Sequence, residues 1–282
     1  RRDGTAVQHG RASEMICPVC DCTDSRVVYD GPIRSGGVHS AADCDHQVVR
    51  CSACGVARLK PFPSDVAAYY ESDEYWHGHK ELADSIGVDL SVIEEQFLWL
   101  GKTGIVPFVG KTVADWGAGL GGFLDLVKGV SLRTLAVEPA RGLSDYLSSK
   151  GHEHVPHHSL LPRAGVQTLV SFDCLEHSPD PLSELRALHE AVAPGGRVYL
   201  GTPNDDDFLK EIVPDYLQFF YHKSHLFYFR ACDLVKLLGM AGFDVTNVRH
   251  LHKYTLTNML VWANESKPAG RAMSEVFDQM TE

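Results

Sequence analysis

The stretch Val113 to Val127, V-A-D-W-G-A-G-L-G-G-F-L-D-L-V, decides the fold. Apolar residues run into a glycine turn, and the turn opens onto a further apolar run, so one segment holds a strand end, a tight loop and a helix start. Gly117, Gly119 and Gly122 satisfy G-x-G-x-x-G. Glu138 follows at about the separation, roughly 20 residues, at which a carboxylate meets a ribose hydroxyl. The unit reads as a nucleotide-cofactor loop. A strand-to-helix turn without a ligand is the plainer alternative, and the placement of Glu138 argues against it.

The acid before the turn separates two kinds of cofactor. A dinucleotide site keeps an apolar residue there and lets the helix N-terminus meet pyrophosphate, whereas this chain has Asp115. S-adenosylmethionine has no phosphate; it carries an ammonium, a carboxylate and a sulfonium. An acid at Asp115 can orient the cationic end while the glycines bring backbone N–H groups to the carboxylate. D-x-G-x-G followed by Glu138-Pro139 therefore favours a methyl donor.

Two downstream segments, S-F-D-C-L-E-H-S-P-D-P from Ser171 and L-H-E-A-V-A-P-G-G-R-V-Y-L-G-T-P-N from Leu188, join the first loop in a wider pattern. Together they resemble the class I S-adenosylmethionine-dependent methyltransferases, from Val113 to about Glu265. The resemblance implies an α/β fold with a doubly wound, seven-stranded Rossmann-like sheet whose last strand is antiparallel. It places Asp115, Gly117, Ala118 and Gly119 at the methionine end of the donor and Glu138 on the ribose, with Pro139, Phe172 and Asp173 as further cofactor contacts. Trp116 is bulkier than the small aliphatic residue usual in that family.

With 282 residues, 44% hydrophobic and 22% charged, the composition suits a globular enzyme with one large domain and a small appendage. A net charge of −11 argues against nonspecific nucleic-acid binding. No apolar run is long enough to span a bilayer, and Arg1-Arg2-Asp3 opens no apolar signal core, so a cytoplasmic location is expected.

Six of the eight cysteines precede residue 55. Cys17-Pro18-Val19-Cys20 and Cys51-Ser52-Ala53-Cys54-Gly55 are two C-x-x-C knuckles, each able to place two thiolates on one tetrahedral ion. The expectation is a zinc ribbon with Cys17, Cys20, Cys51 and Cys54 as ligands, structural because four thiolates leave no open position. Reduced structural cysteines are the alternative; Cys22, His39, Cys44 and His46 lie between the knuckles as substitute ligands or as ligands of a second ion. Residues 1–80 hold nine Lys/Arg against eleven Asp/Glu, so the ribbon reads as a lid or scaffold, with no nucleic acid as partner. The segment after it, V-A-R-L-K-P-F-P-S-D-V-A-A-Y-Y-E-S-D-E-Y-W, resembles zinc-ribbon members of the same family that methylate sugars and antibiotic precursors. Tyr75 and Trp76 either wall the acceptor or pack the ribbon; for Tyr69 and Tyr70 packing is favoured.

The expected organisation is a disordered leader over 1–14, ribbon and aromatic lid over 15–80, a linker helix over 81–110, the catalytic domain over 111–265 and a tail over 266–282. Strands are expected at Lys111–Trp116, Thr134–Val137, around His154–His157, at Gln167–Phe172 and Gly196–Gly201, with a terminal hairpin at Asp244–Leu251 and Thr257–Ala263. His152, His154, His157 and His158 read as a solvated face. His177 either orients an acceptor hydroxyl or caps the next helix. Y-H-K-S-H-L-F-Y-F-R from Tyr221 resembles the H-L-x-Y-F segment of sugar-modifying members, in which the histidine faces the acceptor. That makes His225 the expected base, with a packed histidine as the alternative. C-methylating relatives carry a tyrosine and a glutamate where this chain has His222 and Ser224, which favours an O or N acceptor. Residues 201–230 hold five acids and three bases, so His222 and Asp205 are candidate contacts to a neutral or cationic acceptor such as an amino sugar; equally, Asp205 to Asp207 read as a solvated turn and cap. A nicotinamide-dependent oxidoreductase and a non-catalytic zinc-binding interaction protein are the competing readings.

Overall fold

The computed structural model describes residues 16–34, 42–63, 90–252, 254, 256–266 and 268, with only the backbone described for 42–45 and 90–95. Their strands are β1 (Ser25–Arg34), β2 (Ala42–Cys51), β3 (Ala57–Lys60), β4 (Thr112–Trp116), β5 (Arg133–Val137), β6 (Glu153–Val155), β7 (Val166–Phe172), β8 (Val192–Gly201) and β9 (Phe227–Tyr228). The chain divides into two compact units. One holds 64–203 and 238–244; the other holds 1–63, 204–237 and 245–282.

The first unit is built on a wholly parallel sheet of order β6-β5-β4-β7-β8. Val113, Ala114, Leu135, Ala136, Leu169 and Val170 are buried, as expected of strands with both faces covered. The covering helices include α1 (Leu90–Thr103), α2 (Gly122–Val127), α3 (Ser144–Ser149) and α4 (Pro181–Ala191). Phe108, Phe123, Leu124, Leu143 and Leu147 fill the core beside β4. Asp180 starts α4: its Oδ1 accepts from the Ser183 N–H at 3.1 Å, and Pro181 supplies a pre-set φ with no N–H to leave unpaired. The strand order reverses direction between β4 and β7. Their carboxyl ends therefore frame the crevice where a doubly wound sheet takes its ligand.

Among the described residues the sheet has five parallel strands, against the seven expected. Residues 245–252 carry no regular structure, and the span expected as the last strand is the helix Leu256–Glu265. Asn258 and Trp262, four residues apart, are buried, while Leu256 and Leu260 face outward. That is a helical period, and it outweighs the strand preference of Tyr254, Thr255 and Thr257. The histidine cluster also differs from expectation. His152 is buried, with Nδ1 2.9 Å from Thr134 Oγ1 and Nε2 3.1 Å from Asp125 Oδ1. His158 is buried beneath Trp116, and burial followed by its neighbour His157 lowers it to about 4.

The second unit is an antiparallel sheet of order β1-β2-β3-β9. Ile33, Val48, Ala57, Leu59, Tyr221 and Tyr228 form its core, while Trp262 packs with Leu209, Val213 and Tyr216. Segments far apart in sequence meet here around Arg50. Its guanidinium pairs with Asp205 and, at 3.3 Å, with Asp233, and it donates to the Gly55 carbonyl at 2.8 Å. Lys210 pairs with Asp205, and Arg230 holds Asp233 through two bonds of 2.6 and 2.9 Å. Both carboxylates are fully buried. Asp205 is thus an internal ion-pair partner, neither a solvated turn residue nor free for an acceptor. Asp207 is engaged too, accepting from Tyr216 Oη at 2.7 Å and the Leu209 N–H at 3.0 Å.

Removing one member of a buried ion cluster leaves uncompensated charge in a low-dielectric site. Arg50→Met should destabilise the protein by about 3 kcal/mol or more. Lys128→Ala, which removes a partly exposed pair with Asp125, should cost under about 1 kcal/mol. Chemical-denaturation midpoints of the two variants check the contrast.

Candidate functional site

The glycine turn leaves β4 with Gly117, Gly119 and Gly121 all at positive φ (82°, 52° and 75°). Gly117 has a second reason to be glycine, since a Cβ there would lie 2.7 Å from the Cys174 sulfur. The turn folds back on β5. Gly117 and Ala118 N–H groups donate to the Val137 carbonyl at 3.0 and 3.2 Å, and the Gly119 N–H donates to Glu138 Oε2 at 2.9 Å. The other carboxylate oxygen of Glu138 accepts from the Ala140 N–H at 3.1 Å. The expectation that these turn N–H groups wait for a donor carboxylate is corrected: they are engaged within the protein. The two backbone bonds fix the direction of the Glu138 carboxylate.

Asp115 lies at the end of β4 and is buried. Burial, and then the negative charge of Glu138, push its carboxyl up to about 7. Two acids placed this way create a demand for positive charge at the carboxyl ends of β4 and β5.

At the end of β7, Phe172 stacks flat on Trp99 of α1 (4.6 Å between centroids, 5° between planes) and meets Phe123 edge-on at 5.2 Å. Asp173 follows at φ 52°, its N–H donating to the Gly201 carbonyl at 2.9 Å. This left-handed turn re-aims the chain into the short helix Leu175–His177, which brings Glu176 and His177 off the sheet. The Thr202 hydroxyl donates to Glu176 Oε2 at 2.8 Å. Burial pushes the Cys174 thiol well above its ordinary range, so Cys174 is no nucleophile at neutral pH. The unit thus gathers Asp115, Gly117, Ala118, Gly119, Glu138, Phe172, Asp173 and His177 at one end of its sheet, with Pro139 half-buried after Glu138.

His222 and His225 belong to the other unit. Their rings lie 3.6 Å apart, the His225 N–H donates to the His222 carbonyl at 3.1 Å, and the Tyr228 hydroxyl donates to that carbonyl at 3.0 Å. Tyr69, Tyr70, Tyr75, Trp76 and His39 lie outside the described residues. Trp99 stands on α1, within the span expected as a linker helix, and no part of the cofactor pattern marks it. Phe97 is exposed, and Trp99 points inward.

The second unit also holds the cysteine cluster. The sulfurs of Cys17, Cys20, Cys51 and Cys54 lie within 4.8 Å of one another. Cys17 to Cys54 is 3.7 Å and Cys20 to Cys51 is 3.5 Å. These separations are too long for disulfides and close to the edge, about 3.8 Å, of a tetrahedron with metal–sulfur bonds of about 2.3 Å. Each knuckle is closed by a backbone turn. Gly55 takes φ 84° after the second, and Asp21 takes φ 58° after the first, a conformation aspartate tolerates. The Cys54 thiol lowers Cys17 to about 5, while the same interaction and burial raise Cys54. This contact favours a thiolate at Cys17 and opposes one at Cys54, and a bound cation would remove that opposition.

The family described as "Methyltransferase domain" matches residues 92–248. A ubiquinone biosynthesis O-methyltransferase of Aromatoleum aromaticum is 30% identical over 199 residues, covering 60% of this chain and 82% of that protein. C-methyltransferase NovU of Streptomyces niveus is 27% identical over 147 residues, covering 49% of this chain and 34% of NovU. Among solved structures, a 1,6-didemethyltoxoflavin-N1-methyltransferase of Burkholderia thailandensis with bound S-adenosylhomocysteine aligns with a TM-score of 0.45 at 17% identity, covering 71% of this chain and 86% of that one. No helix among the described residues is long and apolar enough to cross a membrane. With the cofactor turn, the paired acids and the family match in agreement, the chain belongs to the methyltransferase domain family and is an S-adenosylmethionine-dependent methyltransferase.

Proposed function

We propose that the chain transfers a methyl group to an oxygen, or alternatively a nitrogen, of a small-molecule acceptor. The observation that carries the reading is the convergence of Asp115, the glycine turn and a doubly held Glu138 at the carboxyl ends of adjacent strands. When bound there, S-adenosylmethionine supplies a methyl already activated on a sulfonium. The protein has to hold the donor, align the acceptor and remove one proton. Glu138 holds the ribose, and Asp115 faces the cationic end. The O-methyltransferase name of the Aromatoleum relative supports an oxygen acceptor. A sugar or amino-sugar acceptor rests on the Tyr221–Arg230 segment; the acidic balance after β8 no longer supports it, because Asp205 and Asp207 have internal partners. Carbon methylation is the second reading, favoured by the likeness to the C-methyltransferase NovU.

In this proposal His225 is the base and His177 an acceptor-orienting residue, while Cys17, Cys20, Cys51 and Cys54 hold one structural zinc ion. Four thiolates suit zinc and close its shell, so the ion supports the knuckles and takes no part in the chemistry.

Donor binding carries a pH signature. In the free protein Asp115 holds its proton up to about pH 7, whereas in the unfolded chain it loses it near pH 4. Between these values the folded state binds the extra proton, so its stability falls as pH rises through this window. A cationic donor favours ionised Asp115. Binding should therefore release a proton near pH 6 and tighten toward pH 7. Asp115→Asn should abolish both effects, and Glu138→Gln should weaken S-adenosylhomocysteine by roughly 1–3 kcal/mol. Calorimetry in buffers of differing ionisation enthalpy measures each; pH-independent binding by the unaltered protein would remove Asp115 from the donor site.

Purified protein should carry about one zinc per chain, and the double variant Cys17→Ser, Cys54→Ser should lose it with a lower melting temperature. Elemental analysis showing full occupancy in that variant would assign the ion to other residues.

His225→Ala should lower turnover about 10²-fold with donor affinity unchanged. A histidine that only packs against His222 and Tyr228 gives the opposite result, a lower melting temperature with turnover per folded molecule preserved. Both quantities are read on the same preparation.

A further inference from the structure

We propose that Gln96, on α1, is a donor-binding residue whose side-chain amide takes the amino-acid end of S-adenosylmethionine. The proposal rests on the donor assignment above and deepens it.

The amino-acid end of the donor is a zwitterion, with an ammonium that needs acceptors and a carboxylate that needs donors. Asp115 answers the ammonium, but the backbone groups that would answer the carboxylate have other partners: Gly117 and Ala118 N–H groups face the Val137 carbonyl, and the Gly119 N–H faces Glu138. A side chain beside the turn can supply what these three groups do not.

Gln96 stands at that turn. Its amide lies against Gly122, the last glycine of the motif; a Cβ on Gly122 would come within 3.0 Å of both the Gln96 amide carbon and its Nε2 and would collide with Oε1. Oε1 is buried and has no hydrogen-bond partner among the described residues. Burying a polar oxygen without a partner is unfavourable, and a residue present only to pack on a glycine would be apolar. A carboxamide offers one acceptor and two donors on one plane, the complement of an adjacent ammonium and carboxylate, in whichever of its two orientations it sits.

The helix that carries it is fixed. Trp99, three residues on and hence on the same helix face, stacks on Phe172 and packs over Gly201. The helix ends at Thr103, whose hydroxyl donates to the Trp99 and Leu100 carbonyls, and Gly104 follows at φ 74°. Gln96 is thereby held over the turn before any ligand arrives.

The test uses two probes on the full chain. S-adenosylhomocysteine has the amino-acid end; 5′-methylthioadenosine has the same nucleoside and thioether without it. Gln96→Leu, or Gln96→Met where Leu folds poorly, should weaken S-adenosylhomocysteine about tenfold or more and leave 5′-methylthioadenosine unchanged in calorimetry. Unchanged affinity for S-adenosylhomocysteine overturns the proposal, as does an equal loss for both probes, which would mark Gln96 as packing for α1. If the unaltered protein binds neither probe, the donor assignment fails and the proposal with it.

Discussion

The second unit depends on one buried guanidinium. Arg50 sits one residue before the second knuckle, and its partners Asp205 and Asp233 are contributed by segments that follow the parallel sheet. Charges taken out of water are costly to bury singly, so the three must be buried together. Gly55 is caught in the same arrangement: its carbonyl accepts from Arg50, and the space of its missing side chain holds the Asp233 carboxylate. The cysteine knuckle, the loop after β8 and the start of the helix Ala231–Met240 are therefore one electrostatic object. The segment that carries His222 and His225 lies between the two acidic partners, and β9 within it pairs with β3.

The parallel unit is organised by a different economy of polar groups. Its glycine turn is braced by its own hydrogen bonds to Val137 and Glu138, so the Glu138 carboxylate is oriented before any ligand is present. Pre-orientation of this kind matters for a reaction whose chemistry is already activated in the donor, because alignment is most of what remains for the protein to supply. Asp115 adds a buried carboxyl whose protonation is set by how little water reaches it and by Glu138 beside it.

What was legible in the sequence is what short-range geometry dictates. Glycines in the turn after β4 announce positive φ, and two C-x-x-C pairs announce two turns; each reads from a handful of neighbouring residues. The five parallel strands fell close to their expected spans for the same reason. The hairpin expected after Asp244 misled because Tyr254, Thr255 and Thr257 favour strand locally, whereas the burial of Trp262 among Leu209, Val213 and Tyr216 is a long-range fact. Asp205 was read as solvated or acceptor-facing because Arg50, its partner, is distant in sequence. Gln96 and Trp99 escaped because an apolar period says which face of a helix is buried, not which residue on it meets a particular turn.

The pairing of β3 with β9 gives the antiparallel sheet an order of assembly that the ribosome imposes. The knuckle cysteines and the first three strands emerge first, yet Asp205, Asp233 and the fourth strand follow only after the parallel sheet has been made, a delay of roughly 10 to 30 s at common elongation rates. During that interval the thiols rest on their local turns alone, with Arg50 still in water. The half made first is thus the half completed last, and a shortened chain ending before Phe227 would strand it with an open sheet edge.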